Sequence, residues 1–147
     1  MTPFDIEKAG SLAEDLATRI RNSGGNLGII YYKLEELLID YRKKGGELDL
    51  IMPALYEVDL EYNRTRPDGR SIWVAYADVL HENLCSPNGV LHKKVLTEKG
   101  VTGADVVKLI MDQLRLPPNS AFIVAPIAGS ILGLGVGAFC KHGGQCK

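Results

Sequence analysis

From Leu116 to Cys140 the chain carries no ionisable side chain except the Cys140 thiol, and no other stretch constrains the fold as much. Its centre, AFIVAPIAGSILGLGVGAFC, runs from Ala121 to Cys140, 20 residues. As a helix that is about 30 Å, the hydrocarbon thickness of a bilayer. In water, Pro126, Gly129, Gly133, Gly135 and Gly137 make it a poor helix, at about 1 kcal/mol per Gly and 3 for an interior Pro. In lipid an open backbone costs more than weak propensity does. Ala121, Ala125, Gly129, Gly133 and Gly137 recur at every fourth position, a smooth ridge for close helix contact. Lys141, His142 and Lys147 form a polar end. The expectation is therefore a transmembrane tail over 119–147, crossing through 121–140, behind a helical body over 1–118. A central helix of the bundle and two short strands about AGS are the alternatives; length favours the tail. The ridge suits a homodimer contact or closer packing, and its spacing does not separate the two.

The body has enough apolar material for its own core. Of 147 residues, 46% are hydrophobic and 24% charged, which excludes compositional disorder. Formal net charge is −1, and no zinc-finger, RNP or arginine-rich pattern occurs, which argues against nucleic acid as a partner. The start, MTPFDIEKAG, has an acid at Asp5 and no apolar h-region, so no secretory signal is read and the body is expected in the cytosol. Cys85, Cys140 and Cys146 are too few and scattered for a disulfide scaffold, which points to a reducing compartment.

Periodicity predicts an all-α fold. Pro3 suits a first helical turn, and Ile6, Leu12, Ala13, Leu16, Ala17 and Ile20 share one face. NSGGN breaks that helix. Asn26 can cap a second, striped by Leu27, Ile30, Tyr31, Leu34, Leu37, Leu38 and Tyr41 and ended by Gly45 and Gly46. A third is expected near Pro53 with Leu55, Val58 and Tyr62. Ser71 can cap a strongly apolar fourth, IWVAYADVLHENL; the stretch 90–100 reads as helix or extended. Thr102 and Asp105 have capping-box spacing ahead of Val106, Val107, Ile110 and Leu114. Asn119 or Ser120 can cap the final run.

Chemical motifs are sparse. Cys140, His142 and Cys146 are metal-type ligands, and His81 and Cys85 lie one helical turn apart, but zinc needs four convergent ligands and no cofactor is expected. A Cys140–Cys146 disulfide is an alternative if that end reaches an oxidising space. GGQ at 143–145 lacks the domain in which release factors use it. No G-x-S-x-G, Walker loop or H-E-x-x-H occurs, so no enzyme is expected. Glu35, Glu36, Asp59 and Glu61 read as solvated helix faces. In RPDGRSIWVAYADVL, Gly69 and Arg70 open the most apolar helix of the body. There Arg70 can pair bidentately with an incoming carboxylate, and Gly69 admits a close backbone; an ordinary Gly-Arg turn is the alternative.

Taken together, a helical body, a Gly-Arg opening a hydrophobic central helix, and an apolar tail with a basic end resemble the Bcl-2 family of apoptosis regulators. The family's first homology motif reads Asn-Trp-Gly-Arg; here Pro67-Asp68-Gly69-Arg70 keeps the Gly-Arg. LEELLIDYRKK resembles its BH3 segment, with Leu34 as leading Leu, Asp40-Tyr41 as acid-aromatic pair and Lys43-Lys44 as basic end, while Leu38-Ile39 replace the usual Gly-Asp. The second homology motif is absent. The length suits a shortened viral member.

The resemblance implies an apoptosis inhibitor that sequesters the amphipathic BH3 helices of pro-apoptotic proteins, at the cytosolic face of the mitochondrial outer membrane or endoplasmic reticulum. It implies a groove walled by Tyr41, Leu55, Val58, Tyr62, Trp73 and Val74, with Gly69 at its mouth and Arg70 pairing with the ligand's Asp. A contrasting expectation is a membrane-active effector whose small-residue tail assembles into a pore; a soluble helical adaptor with the tail folded in is a third.

Overall fold

The structure of the chain is a computed structural model that describes residues 3–45, 69–86, 102–116 and 120–142. The expected helix with Leu55, Val58 and Tyr62, the stretch 90–100 and residues 143–147 lie outside them. Every regular element described is a helix: α1 Pro3–Asn22, α2 Gly28–Lys43, α3 Gly69–Cys85, α4 Gly103–Leu114, α5 Ala121–Leu134 and α6 Val136–His142. The all-α expectation holds.

Local signals set most boundaries. Pro3 is the first residue of α1, where its missing N–H costs nothing. At the other end the Gly25 N–H donates to the Ile20 carbonyl at 2.9 Å and the Gly24 N–H to Arg21. With Gly24 at φ 74, this is a Schellman stop. Asn26 Oδ1 accepts from the Gly28 N–H at 2.9 Å and so satisfies a donor at the head of α2. The capping box of α4 is complete: Thr102 Oγ1 accepts from the Asp105 N–H, and Asp105 Oδ2 accepts from the Thr102 N–H. Two caps differ from expectation. α3 starts at Gly69, which places Ser71 inside its first turn, and Ser120 makes no side-chain capping bond to α5.

The main correction concerns the tail. α5 stops at Leu134, because Gly135 takes φ 85, and its 14 residues span only about 21 Å. No helix among the described residues is long and apolar enough to cross a membrane. Ile123, Val124, Ile127 and Ile131 are buried among residues of the other helices, and α5 packs most extensively on α1. The run read as lipid-solvated is instead packed at the centre of the bundle, the first alternative above.

The small-residue ridge explains how. A Cβ at Gly129 would lie 2.9 Å from the Ala13 carbonyl oxygen and 3.0 Å from Leu16 Cβ; one at Gly133 would lie 2.9 Å from Ile20 Cβ. Ala13 and Ala17 supply the matching small positions on α1. The ridge thus serves an intramolecular crossing, the same steric device that lipid-embedded helices use. A second close crossing pairs Gly10 of α1 with Gly103 of α4, where Glu14 Oε2 accepts from the Gly103 N–H at 2.7 Å.

Candidate functional site

Gly69 is buried where α3 begins against α2, and a Cβ there would run into the Tyr31 carbonyl oxygen. Its close backbone approach is therefore to the chain's own α2. Arg70 follows as an exposed residue in the first turn of α3. Burial pushes the Tyr31 hydroxyl above its usual pKa, and the nearby Arg70 charge partly opposes that. Arg70 is thus at the α2–α3 seam with its side chain toward solvent.

Trp73 belongs to the interior. It is 2% exposed, its Nε1 donates to Ser130 Oγ at 2.9 Å, and that hydroxyl donates to the Ile127 carbonyl at 2.6 Å. Its ring meets Tyr31 at 5.9 Å and Phe139 at 5.6 Å, both edge-on. In this arrangement Trp73 is enclosed by the chain itself rather than standing open on a groove wall. Val74 and Tyr41 are half-buried, and the Tyr41 ring packs on Phe122 at 5.1 Å. Of the eight residues expected at the partner site, Gly69, Arg70, Trp73 and Val74 share α3, Tyr41 is on the last turn of α2, and Leu55, Val58 and Tyr62 lie outside the described residues. Next to Trp73 on α3, Tyr76 is wholly buried, which raises its hydroxyl pKa far beyond the physiological range.

The cysteines also differ from expectation. Cys85, the last residue of α3, is disulfide-bonded to Cys140 of α6 across 55 residues, with Cα atoms 5.7 Å apart. Cys140 is therefore neither part of a metal triad nor paired with Cys146. No group of three or more metal-type ligands occurs among the described residues.

What the sequence reading missed lies on the outer face of α2. Tyr32 is 70% exposed and Ile39 46%, the large apolar side chains most open to solvent among the described residues. Seven positions apart, they stand on one face. A cleft of about 490 Å³ is lined by Tyr32, Glu35, Glu36, Ile39, Asp40 and Lys43. A second of about 480 Å³ is lined by Arg19, Asn26, Gly28, Ile29, Tyr32, Lys33 and Glu36. Tyr32 and Glu36 line both, so the two hollows follow α2 for most of its length. Lys33–Glu36 at 2.9 Å and Lys44–Asp40 at 3.0 Å are exposed ion pairs that add little stability but give the face a rim of both signs. The signal available in the sequence was Ile39, an aliphatic residue among Glu35, Glu36 and Asp40.

Compared with protein-family models, with curated proteins and with solved structures, the chain finds no match.

Proposed function

We propose that the protein works by binding rather than by catalysis, as a helical module that captures an amphipathic helix of a protein partner. The single observation that carries this reading is the hollowed outer face of α2, where Tyr32 and Ile39 stand exposed within a charged rim. An incoming helix lays two or three apolar anchors on such a strip and sets its charges on the edges. α2 has 16 residues, about 24 Å, which matches a partner helix of four turns.

The version implied by the Bcl-2 resemblance has BH3 helices of pro-apoptotic proteins as ligands and a block on cell death as outcome. In that version Arg70 meets the ligand's Asp, and a place at the mitochondrial or endoplasmic reticulum membrane comes through the partner. Calorimetry against BH3 peptides and unrelated amphipathic helices tests both levels. Tyr32→Ala with Ile39→Asp should abolish binding of whichever helix is captured, and a preference for BH3 peptides selects the narrower version. Unchanged affinity in that double variant overturns the α2 site.

A contrasting reading, a membrane-active effector, draws on the uncharged α5 enclosed by amphipathic helices. It predicts leakage of dye-loaded liposomes by the protein alone, whereas a groove binder leaves them intact.

A further inference from the structure

α6 has only seven residues, too few to hold as a helix in water by itself. It follows Gly135, whose φ of 85 turns the chain at the end of α5, and it rests on α3 and α5. Two attachments stand out. One is the covalent bond from Cys140 to Cys85. The other is Phe139, fully buried with its ring 5.6 Å from that of Trp73. Both cysteines are only half-buried, so a thiol reagent can reach the bridge.

We propose that Cys85–Cys140 is a redox latch that holds α6 closed over Trp73. A thiolate of a dithiol reductant attacks one sulfur of the bridge, breaking the S–S bond and leaving the other cysteine as a thiolate that takes up a proton. The second thiol of the reductant then resolves the mixed disulfide and releases the second cysteine as a thiol. Two electrons pass to the protein, and the dithiol leaves as a disulfide. With the bridge gone, a helix too short to sustain itself loses its covalent tie to α3, and α6 swings out about Gly135. Phe139 leaves with it, opening an apolar cleft whose floor is the Trp73 indole, flanked by Tyr31. Reduction thereby converts a closed bundle into one with a second, aromatic binding surface. This latch stands apart from the α2 face and does not require it.

The chain contains a single tryptophan, so its fluorescence reports this site alone. In the full chain carrying Cys146→Ser, acrylamide quenching of Trp73 is measured before and after reduction by dithiothreitol, with thiol titration and far-UV circular dichroism alongside. The expected result is two titrated thiols, a several-fold rise in the quenching constant and retained helicity. Cys85→Ser with Cys140→Ser should show the same high quenching without reductant. Two thiols with Trp73 still shielded overturn the latch, because α6 then stays closed unaided. Loss of helicity on reduction also overturns it, because the bridge is then a staple for the whole fold. Should the double variant fail to fold, reduction of the Cys146→Ser chain still decides.

Discussion

The Trp73 indole N–H and the Ser130 hydroxyl meet at 2.9 Å inside the bundle, joining α3 to α5. The Ser130 hydroxyl in turn donates a hydrogen bond to the Ile127 carbonyl, so the indole N–H and the hydroxyl both have a protein partner. Ser130→Ala leaves the indole N–H buried and without that acceptor, a loss of about 1–3 kcal/mol. Urea denaturation followed by Trp73 fluorescence measures it; an unchanged midpoint would show that the bond carries no net stability.

A stricter test of the α1–α5 crossing uses the glycines. Gly129→Ala puts a methyl 2.9 Å from the Ala13 carbonyl oxygen, where backbone rather than a flexible side chain must move. The expected cost is about 1–3 kcal/mol, as for overpacking elsewhere in well-filled cores. Gly24→Ala is the comparison, since there only the left-handed φ of 74 is at stake and no atom lies within 4 Å; it should cost about 1 kcal/mol. Were the ridge facing lipid or solvent, Gly129→Ala would be neutral or stabilising in thermal melts.

These same glycines show where sequence reading stopped. The stripes of α1 and α2, the capping box at Thr102–Asp105 and the stop at Gly45 were legible because each depends on residues within two turns of one another. The location of α5 was not. An uncharged run with small residues at every fourth position meets the needs of a helix in lipid and of one clasped by Ala13 and Ala17, and only the partner helix distinguishes them. The Cys85–Cys140 pairing spans 55 residues, and no local pattern encodes it. At the candidate site, the position of Arg70 at the start of an apolar helix is a local feature of the sequence, whereas the enclosure of Trp73 depends on a hydrogen-bond partner 57 positions away.

Acid should loosen α4 from its first turn. Hydrogen bonds from the Thr102 backbone and side chain hold the Asp105 carboxyl below the usual carboxylate range, with a smaller contribution from Lys108. A pKa depressed on folding gives stability that is present above the unfolded value, about 3.9, and is lost as pH falls through the folded one. Asp105 is highly exposed, so the global effect is small and the local one is the useful readout. The protection of the Asp105 and Val106 amides, relative to their intrinsic exchange rates at each pH, should fall below about pH 4. Thr102→Ala should remove the depression and cost about 1 kcal/mol. Protection that is unchanged down to about pH 2 would show that the Asp105 carboxylate does not secure the helix.

Deleting residues 119–147 separates a core helix from an appendage directly. The deletion removes Ile123, Val124, Ile127, Ile131 and Phe139, all essentially fully buried. At about 1.5–3 kcal/mol for each large apolar side chain, the loss approaches or exceeds the whole stability of a small domain, about 5–15 kcal/mol. It also exposes the faces of α1, α2, α3 and α4 that enclosed them, so the expected product has weak helicity and no cooperative melt. Ile127→Asp makes the same point without shortening the chain: a carboxylate placed at a fully buried position has no water and must either take up a proton or open the bundle. Its melting transition should be lost near neutral pH and partly recovered in acid, as the carboxyl becomes neutral. A truncated chain that melts cooperatively, with Ile127→Asp in the full chain unchanged, would mean that the helices preceding α5 close a core without it.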